Sequence, residues 1–169
     1  MNFAGYGGCI NEQDTVRPPV LSVLYVDDEP FLLDVCKQYL ERRPDISVST
    51  ASSVEKALTL LDSTSFDVII SDYQMPGTDG IGFLRLLKEK QCSIPFILFT
   101  GRGREEVMIK ALNNGAMFYL QKGGNPRSLF IELDNKIREA YRRHNDERSL
   151  LETGFSAIIK PEILINGPC

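Results

Sequence analysis

The sequence is poor in the residues on which most histidine-based, thiol-based and zinc-dependent sites rely. His144 is its single histidine, which excludes a histidine-based triad from the main body of the chain and argues against a zinc site. The four cysteines show neither CxxC pairs nor metal-ligand spacing: Cys9, Cys36, Cys92 and Cys169. We therefore expect free thiols in a reducing compartment.

Long apolar runs and a strong excess of one charge are also lacking. No stretch reaches the roughly 18 apolar residues of a membrane span, and residues 1–20 lack the basic and apolar regions of a signal peptide. The net charge of −4 provides no basic footprint for general nucleic-acid binding. These absences predict a cytoplasmic protein with no membrane association and no direct binding of nucleic acid.

What is present is a regular alternation between short apolar runs and stretches with helical spacing. The apolar runs lie at 20–26, 46–50, 66–70, 95–100 and 116–120. They show little polar alternation, which is typical of strands covered on both faces. Five strand–helix repeats predict a doubly wound α/β domain built on a five-stranded parallel sheet.

This alternation suggests three segments in the chain of 169 residues. Residues 1–18 are expected to be a flexible leader, and residues 19–143 the α/β domain. Residues 144–169 are expected to be a linker or tail that is partly helical, with any helix interrupted at Gly154 and Pro161. A length of this size fits one ordinary domain plus its tails.

Charged and hydroxyl side chains stand where four of the predicted strands end. Asp27 and Asp28 follow the first strand and Asp72 the third, while Thr100 ends the fourth and Lys122 follows the fifth. Ligands of open parallel sheets bind beyond these carboxyl ends. Three carboxylates within about 5 Å of each other repel by roughly 3 kcal/mol per pair at an effective dielectric of 20. Such a cluster requires cations, which Lys122 and a hard divalent ion such as Mg²⁺ can supply.

Each of these residues also has a simpler interpretation when it is taken alone. The acidic pair could cap a helix, Thr100 could satisfy neighbouring backbone groups, and Lys122 could be an exposed lysine before a turn. Their joint occurrence at the ends of strands in one sheet favours a phosphorylation switch. In that interpretation Asp72 accepts a phosphoryl group whose charge is offset by the metal, Lys122 and a hydrogen bond from Thr100.

Four motifs together resemble those of a response-regulator receiver domain. They are Val26-Asp27-Asp28-Glu29-Pro30, the run from Asp72 to Gly80 (DYQMPGTDG), Phe99-Thr100-Gly101 and Tyr119-Leu120-Gln121-Lys122. The resemblance extends from residue 20 to about residue 143. It implies a flavodoxin-like fold with strand order 2-1-3-4-5 and five helices.

The resemblance also implies roles for three acidic residues of these motifs. Asp72 is expected to be the phosphoacceptor. Mg²⁺ is expected to bind Asp28, Asp72 and the main-chain carbonyl of Gln74. Asp27 is expected to act on the metal mainly through a bound water.

Three further residues match positions that bind or report the phosphoryl group. Thr100 and Lys122 are expected to bind it, and Tyr119 corresponds to an aromatic switch residue whose rotamer follows Thr100. Gln74 and Arg102 occupy the two positions that tune the rate of dephosphorylation in this family. The chain departs from the family by having Gly123-Gly124 where a proline usually follows the lysine.

By this resemblance the protein has no substrate of its own and receives its phosphoryl group from a histidine kinase or a phosphotransfer protein. The surface formed by the fourth helix, fifth strand and fifth helix would then switch, and a homodimer could form through it. The last helix carries basic residues that are either a solvated face or a partner surface: Lys136, Arg138, Arg142 and Arg143.

Two other functions are compatible with Asp72 at a strand end. A metal-dependent phosphohydrolase would use Asp72 as its nucleophile, but such enzymes usually carry a second carboxylate two residues later, where this chain has Gln74. A receiver that acts as a phosphate-independent scaffold is the other alternative. The presence of all five strand-end residues argues against it.

Overall fold

Five strands alternate with five helices in the residues that the computed structural model describes, 20–101 and 105–158, with side chains through residue 154. The elements are β1 (Leu21–Val26), α1 (Pro30–Leu40), β2 (Ile46–Ala51), α2 (Val54–Ser63), β3 (Val68–Ser71), α3 (Gly80–Glu89), β4 (Phe96–Thr100), α4 (Glu105–Asn113), β5 (Phe118–Gln121) and α5 (Pro126–Ile158). The expected leader at 1–18, Arg102 and Pro161 lie outside the described residues.

The strands form one parallel sheet in the order β2-β1-β3-β4-β5, which confirms the predicted fold class. Val26, the last residue of β1, pairs with Ser71, the last residue of β3. Thr100, the last residue of β4, pairs with Gln121, the last residue of β5. This register brings the residues that follow β1, β3 and β5 to the same edge of the sheet.

The core lies on both faces of the sheet, because successive residues of a strand point to opposite sides. Leu24 and Val26 of β1 pack in a cluster with α2, α3 and α4. Val23 and Tyr25 pack in a second cluster with α1 and α5. All four side chains are fully buried, which explains why β1 shows no apolar–polar alternation.

Two helices begin directly beside the carboxyl edge of the sheet. Pro30 opens α1, where a first-turn proline sacrifices no helical hydrogen bond. Asp79 caps α3 by accepting a hydrogen bond from the Gly82 N–H at 2.7 Å. The loop after β1 therefore has three residues, 27–29, and the loop after β3 has eight, 72–79.

Helix α5 extends into the segment that the sequence predicts to be partly helical. It runs through residue 143, the predicted end of the domain, and includes Gly154, where an interruption was expected. Its 33 residues correspond to about 50 Å at 1.5 Å per residue. Leu150 and Leu151 are 71% and 74% exposed, so the distal part of the helix is not covered by the domain. Within the described residues, no helix combines the length and apolar content needed to cross a membrane.

The basic residues of α5 do not form one stripe. Arg138 binds Asp45 and the buried Asp134, which also forms an ion pair with Arg43. This network ties α5 to the segment between α1 and β2. Lys136 instead lies 4.4 Å from the ring centroid of Phe118 on β5, as part of a cation–π contact.

Candidate functional site

Main-chain hydrogen bonds continue the sheet beyond the ends of its strands. The Asp72 N–H donates to the carbonyl of Val26 at 2.8 Å, and the Lys122 N–H donates to the carbonyl of Thr100 at 2.7 Å. The backbone therefore fixes Asp72 beside the end of β1 and Lys122 beside the end of β4.

The Lys122 ammonium bridges two buried carboxylates. Its Nζ lies 2.6 Å from Asp27 Oδ2 and 2.8 Å from Asp72 Oδ1. The side chains of Asp27, Asp72 and Lys122 are 0%, 9% and 13% exposed. Burial lowers the pKa of Lys122, but the hydrogen bonds to both carboxylates outweigh it, and the net pKa is raised above its usual value. The lysine is therefore held in its charged form at neutral pH.

The Asp72 carboxylate is held by a donor on each oxygen. Oδ1 accepts from Lys122, and Oδ2 accepts from the Gln74 N–H at 2.6 Å. The main-chain carbonyl of Asp72 accepts from the Ser71 hydroxyl at 2.9 Å. The residue most central to the sequence prediction thus has a single, well-supported orientation.

A cavity of about 350 Å³ opens beside Asp72. Oxygen and nitrogen groups dominate its lining, which comprises Asp28, Glu29, Asp72, Gln74, Thr100, Gly101 and Lys122. Five of the residues singled out in the sequence line this one cavity, which is large enough to admit a small anion with its counter-ion.

A larger cavity of about 560 Å³ lies elsewhere on the molecule. Phe66 and Ile94 line it, and they precede β3 and β4, so it lies towards the amino ends of these strands. Its charged lining residues are Asp62 and Lys90. Because ligands of open parallel sheets bind at the carboxyl ends, the smaller cavity is the candidate functional site.

Asp27 lies behind the cavity rather than in its wall. Its Oδ1 accepts from the Glu29 N–H at 3.0 Å, and its Oδ2 accepts from both Lys122 and the hydroxyl of Tyr25, the latter at 2.5 Å. Tyr25 was not among the site residues predicted from the sequence. Its signal was available, because residues two apart in a strand point to the same face, and Tyr25 is two residues before Asp27.

Tyr119 lies apart from the other predicted site residues. It is half-buried on β5, pairs with Leu98 and packs against the cluster that includes α2, α3 and α4. Burial raises the pKa of its hydroxyl. Thr100 is two residues beyond Leu98 on β4, so Tyr119 and Thr100 belong to the same face of the sheet.

The oxygen donors of the cavity fit a hard divalent cation. Asp28, Asp72 and Gln74 all line the cavity, and the two aspartates carry carboxylates. Mg²⁺ prefers such oxygen ligands, usually one or two carboxylates with the remaining positions taken by water and phosphate. In residues 20–101 and 105–158 no three His, Cys, Asp or Glu side chains form a ready metal cluster. A metal held by these donors would therefore need water or phosphate to complete its coordination.

Comparison with known proteins assigns the family. The model of the response regulator receiver domain matches residues 23–134, which is more than half of the chain. The chain belongs to the response regulator receiver domain family. The response regulator SaeR of Staphylococcus aureus (strain USA300) is 32% identical over 123 residues, which are 73% of this chain and 53% of that protein. The chain thus spans about half the length of the curated relatives that it matches.

Solved structures of receiver domains share the fold. The response regulator domain of Thermotoga maritima CheB is 31% identical, with a TM-score of 0.67 over 73% of this chain and 97% of that one. A CheY-like receiver domain protein from Methanospirillum hungatei JF-1 is 27% identical, with a TM-score of 0.64 over 73% of this chain and 98% of that one. These receiver domains carry the same arrangement of a central sheet between two helical layers.

Proposed function

We propose that Asp72 accepts a phosphoryl group from a histidine kinase or a phosphotransfer protein in a Mg²⁺-dependent reaction, and that Thr100 and Lys122 bind the transferred group. The observation that carries this proposal is the placement of Asp72 in the wall of the 350 Å³ cavity, with Lys122 Nζ 2.8 Å from its Oδ1. The chain's membership of the receiver family supports the same role.

In this reaction an Asp72 carboxylate oxygen attacks the phosphorus atom of a phosphohistidine. A P–O bond forms as the P–N bond breaks, and the electron pair leaves with the imidazole of the donor. The Lys122 ammonium stays beside the acceptor, where it offsets negative charge on the transferring group. Bound Mg²⁺, held by Asp28, Asp72 and the Gln74 carbonyl, would supply further charge neutralisation.

A protein with the proposed function has no substrate of its own to turn over. A phosphohydrolase would need an acid to protonate its leaving group, and the residue two positions after Asp72 is Gln74, whose amide does not provide one. Sustained release of alcohol from a phosphate ester, with many turnovers per protein, would contradict this part of the proposal.

Phosphorylation is testable without the cognate kinase, because acetyl phosphate can serve as donor. In that case the bond from phosphorus to the acetate oxygen breaks and acetate leaves. We expect intact mass to rise by one phosphoryl group in the presence of Mg²⁺, and Asp72→Asn to abolish the increase. Asp62→Asn, which changes a carboxylate near the end of α2, is the matched control and should label as wild type does. Equal labelling of Asp72→Asn and wild type would refute the assignment of the acceptor.

The surface switched by phosphorylation is proposed to be that of α4, β5 and α5, called here the output face. A new charge of about −1.5 to −2 must bias a two-state element in order to carry a signal. Thr100 and Tyr119 are on the sheet face that α4 covers. Three apolar residues of α4 are exposed and available for a partner: Met108, Ile109 and Leu112.

A second copy of the chain is one candidate partner of the output face. We expect sedimentation velocity to show a dimer after treatment with acetyl phosphate and Mg²⁺, and Ile109→Glu to prevent it. Ile131→Glu is the matched control, because Ile131 is 47% exposed and Ile109 is 48% exposed. Ile131 lies seven residues before Arg138, on the side of α5 that contacts Asp45. A protein that stays monomeric under all conditions would contradict dimerisation, and the partner of the output face would then be a different protein.

A further inference from the structure

The hydroxyl of Tyr25 is a polar group in the second apolar cluster of the domain. Tyr25 is 0% exposed, and its ring lies 6.4 Å from that of Phe99 between centroids, in the cluster formed with α1 and α5. Its hydroxyl donates to Asp27 Oδ2 at 2.5 Å. Packing of the ring therefore aims a hydrogen-bond donor at one chosen oxygen.

We propose that Tyr25 is a positioning residue for Mg²⁺ binding. Its hydroxyl fixes the orientation of Asp27 and thereby keeps the Lys122 ammonium within hydrogen-bond distance of Asp72 as well as Asp27. This proposal rests on the proposed function, because it assumes that Mg²⁺ binds beside Asp28 and Asp72. Tyr25 is not among the residues that line the cavity, and its hydroxyl donates to Asp27.

The first step of the argument is the division of donors over the Asp27 carboxylate. Oδ2 accepts from Tyr25 and Lys122, and Oδ1 accepts from the Glu29 N–H. A fully buried carboxylate needs several such donors, since it has lost its water. Tyr25 supplies one of these three hydrogen bonds without adding charge.

The second step concerns Lys122, which serves two carboxylates at once. Its Nζ is 2.6 Å from Asp27 Oδ2 and 2.8 Å from Asp72 Oδ1. Without the Tyr25 hydroxyl, Lys122 would be the remaining side-chain donor to Asp27 Oδ2. The ammonium would then be drawn towards Asp27 and away from Asp72, where the phosphoryl group is to be accepted.

The third step is the rigidity of the support. Tyr25 is inside β1, paired with Thr50 of β2 and Ile70 of β3, so its backbone is held on both sides. Groups that hydrogen-bond to the residues around a metal typically change its affinity 10- to 100-fold when they are removed. We expect Tyr25→Phe to raise the dissociation constant of Mg²⁺ by at least about tenfold.

The test is a Mg²⁺ titration of the full chain, followed by amide NMR shifts in wild type, Tyr25→Phe and Tyr141→Phe. Tyr141 is half-buried at the margin of the same apolar cluster, so its variant makes the same chemical change away from the site. Urea unfolding of each variant accompanies the titration, because a merely structural role would lower stability while leaving the dissociation constant of the folded protein unchanged.

Wild-type binding that is weakened by Asp72→Asn tests the proposed function separately. Given that result, a tenfold or greater weakening in Tyr25→Phe alone supports the positioning role. A dissociation constant within twofold of wild type overturns it and leaves the proposed function intact. If Tyr25→Phe does not fold, the ¹³Cζ resonance of Tyr25 in wild type decides: a shift on adding Mg²⁺ supports the proposal, and a silent resonance overturns it.

Discussion

Replacing Gly80 with alanine should displace the main chain of the phosphoacceptor. A Cβ atom at this position would lie 2.2 Å from the carbonyl oxygen of Asp72 and 2.8 Å from Leu98 Cδ1. Ordinary van der Waals contact begins near 3.4 Å, so the carbonyl and the helix start must separate by more than 1 Å. Because the nearest atom is backbone, no change of rotamer removes the clash.

The structure sets the expected size of two separate effects. Overpacking a well-packed site costs about 1–3 kcal/mol, and a backbone clash places Gly80→Ala at about 2–3 kcal/mol. A loss of this size lowers the melting temperature by roughly 6–12 °C in a domain of this length. The same shift moves Asp72 relative to Lys122, and a misplacement of about 1 Å costs on the order of 100-fold in rate.

Two assays on the same samples separate these effects. Urea unfolding gives the free energy of unfolding, and intact mass after treatment with acetyl phosphate and Mg²⁺ gives the labelling rate of the folded protein. Gly123→Ala is the control, because a Cβ there meets nothing within 4 Å although the residue adjoins Lys122. We expect this control to remain within about 1 kcal/mol of wild type. Wild-type stability together with a wild-type labelling rate in Gly80→Ala would refute the reasoning.

Three further predictions concern buried charges. Lys122→Met leaves two buried carboxylates without their shared cation and should reduce the free energy of unfolding by about 3–5 kcal/mol at neutral pH; a loss below 1 kcal/mol in urea unfolding would contradict this. Asp134→Asn weakens the contacts with Arg43 and Arg138 and should cost about 1–3 kcal/mol; an unchanged urea midpoint would show that the network contributes nothing. Burial, and then the charge of the neighbouring Asp27 carboxylate, raise the pKa of Tyr25 in the folded protein. The contribution of the Tyr25 hydroxyl to the free energy of unfolding is therefore complete below about pH 10 and is lost as pH rises towards the folded-state pKa. Above about pH 10, the free energy of unfolding measured in urea should fall less steeply with pH in Tyr25→Phe than in wild type. Equal slopes in the two proteins would contradict a link between the ionisation of Tyr25 and folding.

The strand-end residues were predictable because two simple regularities fix their positions. Uninterrupted apolar runs identify parallel strands, and parallel strands present their carboxyl ends at one edge. Asp72, Thr100 and Lys122 therefore had to share an edge once the strands were identified. The division of the Lys122 ammonium between Asp27 and Asp72 was not predictable, since it depends on distances of a few tenths of an ångström.

The length of α5 was not predictable from its breaker residues. Glycine inside a helix costs about 1 kcal/mol relative to alanine, which lowers the stability of a helix without ending it. Gly154 lies two residues after Glu152, which forms an i,i+4 pair with Arg148 at a separation of 3.9 Å that favours the helical conformation. The basic residues of α5 could not be assigned to faces either, because Arg138 and Lys136 differ in their partners, not in their charge.

The glycine pair after Lys122 shows what orients the lysine in this chain. A rigid residue at that position would restrict the backbone, and Gly123-Gly124 does the opposite. The lysine nevertheless has a defined position, because its N–H is bonded to Thr100 in the β4–β5 register and its ammonium is bonded to two buried carboxylates. Gly124, with φ of +74°, then turns the chain into α5. The orientation of Lys122 therefore depends on contacts before and around it, so the flexible turn that follows is free to serve the start of the helix.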